Sequence, residues 1–155
     1  MFKKSILFLF VLFFLNQCGF EPIHLNKSND NFTIEELNFK GDKMINSFIK
    51  INLKKFQNNN LEKKFLIFVD TTYEKNTLSK DKKAKVSNYK LVVNTTFKIV
   101  FKGKEIKRLT VSDSKNINYI EDKLEEEKYE KVIKKTFAST ITNKLINELS
   151  QINVN

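Results

Sequence analysis

The chain has 155 residues, with 28 Lys and Arg against 18 Asp and Glu, for a formal net charge of +10. That length holds one domain and leaves no room for a second sizeable core. One Cys, one His and three isolated Gly exclude an internal disulfide framework, a multi-cysteine or multi-histidine metal centre and a glycine-rich phosphate loop.

The charge is almost all lysine, because Arg108 is the sole arginine. Lys, Asn, Ile and Phe are abundant together, as A/T-rich codons dictate, so a low-GC genome accounts for much of the excess. Guanidinium stacking, Gly-rich loops and exposed aromatic platforms, the usual marks of nucleic-acid binding, do not stand out. The reading is of a protein that binds no nucleic acid.

Residues 1–18 read MFKKSILFLFVLFFLNQC. Lys3 and Lys4 make a positive start, and residues 6–15 are an unbroken apolar run. At 1.5 Å per residue the run spans about 15 Å, half of a bilayer's hydrocarbon core. That is short for a transmembrane helix and right for a secretory signal. Leu15-Asn16-Gln17-Cys18 then sets the sole cysteine just past the apolar run, an arrangement that resembles a bacterial lipobox. The resemblance implies cleavage after residue 17 and diacylation of Cys18. By analogy, Gly19 in place of an acidic residue implies sorting to the outer membrane. Residues 19–31 hold the only proline and no periodicity, so 18–31 is read as a lipidated tether and 32–155 as one domain.

Within the domain a short strand is expected over residues 32–39, with a shift of phase near Leu37 that suggests a bulge or a strand end. Gly41-Asp42 supplies a turn and an N-cap. Ile45, Ile49, Leu53 and Phe56 then mark the apolar stripe of a four-turn helix, ended by Asn58-Asn59-Asn60. Residues 65–73 are β-branched and aromatic on both faces, which fits a central strand or one covered on both sides. Residues 74–83 are polar and read as a loop.

Tyr89, Leu91, Val93, Thr95, Phe97, Ile99 and Phe101 hold successive odd positions, the two-residue period of a long half-buried strand. Gly103-Lys104 turns the chain, and Ile106, Leu109 and Val111 begin a return strand. Over residues 120–152, Ile133, Phe137, Ile141, Leu145 and Leu149 recur every four residues, the stripe of a long helix. Glu125, Glu126 and Glu127 lie early in it and lysines follow, as the macrodipole favours. The order is β-α-β-β-β-α. The expected fold is α+β, a two-layer sandwich of two helices on one face of a mostly antiparallel four-stranded sheet.

No catalytic constellation emerges. His24 lies in the tether without a Cys, Ser or carboxylate partner. The three consecutive glutamates point apart on a helix and read as a solvated face. The chain is therefore read as no enzyme and as calling for no cofactor or metal. The hairpin tip gathers Lys98, Lys102, Lys104, Lys107 and Arg108, a cluster suited to phosphate-bearing amphiphiles or else a solvated polar face.

Cys18-Gly19-Phe20-Glu21-Pro22 after the signal, the element order, the stretch 84–91 (AKVSNYKL) entering the long strand and Thr136-Phe137-Ala138 in the last helix together resemble the LPS-assembly lipoproteins of the LptE family. That resemblance implies an outer-membrane lipoprotein on the periplasmic side, held in the membrane by acylated Cys18. It would plug and help assemble the β-barrel LptD and assist delivery of lipopolysaccharide to the outer leaflet. Lys102, Lys104, Lys107 and Arg108 would then meet lipid phosphates or acidic groups of the lumen. The alternatives are a stand-alone periplasmic lipoprotein for another amphiphile, protein or soluble ligand, or with a small hydrolase activity, and an uncleaved inner-membrane anchor.

Overall fold

The computed structural model describes residues 31–57 and 61–153. The signal segment, Cys18, His24, the tether up to residue 30 and the three asparagines expected to end the first helix lie outside the described residues. The elements run β1 (Thr33–Gly41), α1 (Lys43–Leu53) with a 3-10 turn after it (Lys54–Phe56), β2 (Lys64–Lys80), β3 (Val86–Phe101), β4 (Lys104–Asn118) and α2 (Lys123–Gln151). The expected β-α-β-β-β-α order is the observed one.

The strands form one sheet in the order β1-β2-β3-β4. β1 and β2 are parallel, a pairing that needs a crossover, and α1 is that crossover. β2–β3 and β3–β4 are antiparallel. Leu91, Val93, Thr95, Phe97 and Ile99 of β3 are buried, as the odd-position pattern requires. They share one core with Ile45, Ile49 and Leu53 of α1 and with Ile133, Phe137, Ile141, Leu145 and Leu149 of α2. Each such side chain contributes roughly 1.5–3 kcal/mol on burial, so the apolar stripes decide which sheet face the helices cover.

Of the polar stretch 74–83, read as a loop, only residues 81–83 are one. β2 continues through Lys80 and pairs with β3 from Phe65 opposite Phe101 to Lys80 opposite Val86. A ladder is made of backbone groups, and Thr72, Tyr73 and Thr77 suit extended backbone, so strand persists where the side chains stop being apolar. A tight turn follows at Asp81, whose Oδ1 accepts from the Lys83 and Lys85 amides at 2.8 and 2.9 Å. α2 starts at Lys123, where Asp122 Oδ1 accepts from the Glu125 amide at 2.9 Å. Its last turn carries no basic side chain, so the expected run of charge ends before the C-terminus of the helix.

Two bulges interrupt the outer strands. The register of β1 shifts between Ile34 and Glu36, the slip of phase that the sequence pattern anticipated. In β4 the register jumps from Lys107 to Glu105 opposite Ile99 and Val100, which leaves Ile106 unpaired.

Two glycines fix chain reversals in different ways. Gly41 has φ +93°, and a Cβ there would lie 1.8 Å from the Thr71 carbonyl oxygen. Gly103 has φ +79° with open space around it. With Lys102 also at positive φ (47°), both central residues of the β3–β4 turn meet the type I′ requirement. Gly41→Ala should therefore lower unfolding free energy by roughly 3 kcal/mol or more, and Gly103→Ala by about 1 kcal/mol. Urea denaturation of the two variants measures the difference.

Candidate functional site

Side chains alternate across a strand, so the sheet sorts the predicted basic cluster before any ligand is considered. Lys107 faces the helix layer, where its ammonium pairs with Glu148 of α2. Arg108, one residue on, lines the opposite face and donates from Nε and an Nη to Glu105 at 3.1 and 3.2 Å. That guanidinium holds the Glu105 carboxyl below its ordinary range. Lys102 in the turn and Lys104 just after it make no ion pair among the described residues. The four predicted ligand residues thus separate into two that are committed within the fold and two that are free.

The face opposite the helices forms a shallow concavity of about 590 Å³, lined among others by Asn38, Lys40, Phe68, Asp70, Asn94 and Arg108. Phe68 sits in it 39% exposed, with the Lys98 ammonium 4.9 Å from its ring centroid. Most of its neighbours are polar, including Thr72 and Thr96, but Phe39 and Val69 also line it, so this is a mixed surface on which Phe68 is the exposed aromatic. The sequence pattern showed β2 as apolar on both sides, and Phe68 is where that second face stays open.

A different grouping forms at the end of the sheet where the domain begins. Phe56, Phe32, Phe65 and Phe101 run in a row, with successive ring centroids 5.2, 6.1 and 5.8 Å apart. The ammonium groups of Lys55, Lys63 and Lys102 lie 4.6, 5.7 and 5.2 Å from the centroids of Phe56, Phe65 and Phe101. Burial pulls the Lys63 pKa down. Lys54, Lys64 and Lys104 are exposed beside them. Sequence spacing does not reveal this grouping, because its members come from four separate segments.

The helix layer is tied to the sheet by charge as well as by apolar packing. Asp42 Oδ1 caps α1 by accepting from the Ile45 amide at 2.8 Å, while its Oδ2 accepts from Lys134 at 2.9 Å. The Lys134 ammonium also lies 3.9 Å from the Tyr73 ring centroid and 3.8 Å from Glu130. Lys75 of β2 donates to Glu126 and Glu130 at 2.8 and 3.1 Å. Glu126 is therefore not part of a solvated face, as the glutamate run suggested; it is mostly covered and paired. Burial pulls the Lys75 pKa down, but the two carboxylates outweigh it and the net shift is upward. Burial, followed by Glu130 and Asp42, pushes the Tyr73 hydroxyl well up. The i, i+4 spacing of Glu126, Glu130 and Lys134 was the sequence signal for this array.

Among the described residues no helix is long and apolar enough to cross a membrane, and no His, Cys, Asp and Glu side chains gather as metal ligands would. No protein-family model and no curated protein matches the chain. Solved structures do. The rare lipoprotein B of Shewanella oneidensis superposes with TM-score 0.55 at 13% identity, over 74% of this chain and 93% of that one. A minor lipoprotein from Acinetobacter baumannii gives 0.53 at 17%, over 74% and 92%. An uncharacterized lipoprotein B from Nitrosomonas europaea gives 0.56 at 15%, over 78% and 88%. The class that emerges is an α+β fold found in small bacterial lipoproteins. At these identities the fold is what is shared.

Two outcomes test the charged array. Asp42→Ala should lower stability by about 2 kcal/mol, from the lost cap and the loss of the nearer of the two carboxylates that pair Lys134, and Asp42→Ser should recover about half by restoring a capping oxygen. The raised Lys75 pKa makes its contribution full below the unfolded value near 10.4, with loss as pH rises through the folded value. The stability gap between wild type and Lys75→Met, read by urea melts, should hold from pH 7 to 9 and shrink above about pH 10.5.

Proposed function

We propose that this chain is an outer-membrane lipoprotein, anchored through acylated Cys18, that occupies and helps assemble the LPS-translocating β-barrel LptD and assists delivery of lipopolysaccharide. One conjunction carries the reading. A sole cysteine placed at the end of a secretory signal precedes a domain with the fold of proteins named as bacterial lipoproteins.

The physical character of the domain fits that role. A barrel lumen is polar, and most residues lining the sheet face left open by the helices are Asn, Thr, Lys, Asp and Arg, beside Phe39, Val69 and the exposed Phe68. Such a face loses little by leaving bulk water for a hydrated lumen. With Lys107 and Arg108 paired within the fold, Lys102 and Lys104 are the members of the predicted set that would meet phosphate or carboxylate groups.

The anchor is read by mass spectrometry of the native chain, which should begin at residue 18 and carry acyl groups on Cys18. Cys18→Ser should move the protein from the membrane fraction to the soluble fraction. Purification of the acylated chain from detergent should bring a barrel-sized outer-membrane protein with it in stoichiometric amount. A lone monomer in that purification would instead favour the stand-alone periplasmic lipoprotein.

A further inference from the structure

Six lysines surround the place where the chain enters the domain. β1 begins at Thr33, opposite Lys64. Phe65 pairs with Phe101 across β3, and Phe101 pairs with Lys104 across the turn. α1 runs back along β1, so that Phe56 stacks on Phe32. Lys54, Lys55, Lys63, Lys64, Lys102 and Lys104 therefore share one end of the molecule with residue 32. None of the six forms an ion pair among the described residues, as is also true of Lys80, Lys82, Lys83 and Lys85 at the far end of β2 and β3. Glu62 and Glu105 are the acidic residues next to these lysines in the chain, and Glu105 is paired with Arg108. The ammonium groups of three of these lysines lie over rings of the phenylalanine row, which holds them in place without a carboxylate to cancel their charge.

We infer that this lysine-rimmed end docks on the anionic phospholipid surface of the leaflet that holds the Cys18 acyl chains. The inference deepens the proposed function and rests on its anchoring step. Residues 18–31, fully extended at about 3.5 Å each, reach roughly 50 Å, so the tether alone leaves the orientation of the domain open. Unpaired ammonium groups close to an anionic surface supply that orientation and add an electrostatic attraction to the hold of the acyl chains. The far end of β2 and β3 also carries lysines, Lys80, Lys82, Lys83 and Lys85, but Asp81 lies in their midst. That end is a full 17-residue strand away and offers a control in which the same number of charges, four, is removed.

The test uses the mature chain from residue 18 with Cys18→Ser, since the core among the described residues is built from Phe32 onward. Co-sedimentation is measured with vesicles of phosphatidylcholine alone and with 30% phosphatidylglycerol. Binding should need phosphatidylglycerol and weaken as salt rises from 50 to 300 mM. It should fall about tenfold or more in Lys54→Gln/Lys55→Gln/Lys64→Gln/Lys104→Gln, with less than a twofold change in Lys80→Gln/Lys82→Gln/Lys83→Gln/Lys85→Gln. Thermal melts of both variants confirm folding. Equal losses in the two variants, binding indifferent to phosphatidylglycerol, displacement by millimolar inorganic phosphate, or uptake by lipopolysaccharide micelles but not by the vesicles would each overturn the inference. Failure of the anchor itself is read separately, as an unmodified Cys18 in the native chain.

Discussion

Asp42 joins three elements with three groups of one residue. Its amide donates to the Thr71 carbonyl of β2 at 2.9 Å, one carboxylate oxygen caps α1 and the other receives Lys134 of α2. Gly41, immediately before it, makes this possible by adopting a positive φ against Thr71 where a side chain would collide. The geometry of the crossover, the start of the first helix and the height of the second helix above the sheet are thus set at one corner. A parallel β-α-β unit depends on such a corner, since its helix must leave the strand and return over the same face.

The rest of the helix layer follows from apolar periodicity, and periodicity is what the sequence expresses most openly. The four-residue recurrence from Ile133 to Leu149 and the two-residue recurrence from Leu91 to Ile99 both become one buried core. Gly41-Asp42 announced its turn and cap through chemistry that few other residues supply. The second half of β2 was illegible because its strand character lies in backbone pairing with β3, which leaves no imprint on side-chain hydropathy. Glu126 was misread for a related reason: its partner Lys75 is 51 residues away in sequence, and no local pattern reports a contact at that separation.

The candidate site was legible as residue types and not as an arrangement. Lys107 and Arg108 are adjacent in the chain, yet strand geometry sends one to Glu148 and the other to Glu105. The lysines that remain free gain company from Lys54, Lys55, Lys63 and Lys64, which parallel pairing of β1 with β2 and the return of α1 bring to the same end. Cation and ring then cooperate, because an ammonium group over an aromatic face is held without a carboxylate to cancel its charge. A lysine-rich composition acquires a concentrated electrostatic feature where the fold gathers the residues and few acids accompany them.

The irregular margins of the sheet carry a colloidal consequence. β1 and β4 each break step close to one end, at Glu35 and at Ile106, and β4 also carries Lys104, Lys107, Arg108 and Lys115 along its length. A neighbouring copy seeking to extend the sheet would meet donors and acceptors out of spacing and an edge studded with charged side chains. Many copies held side by side could therefore crowd a surface without templating one another into fibrils.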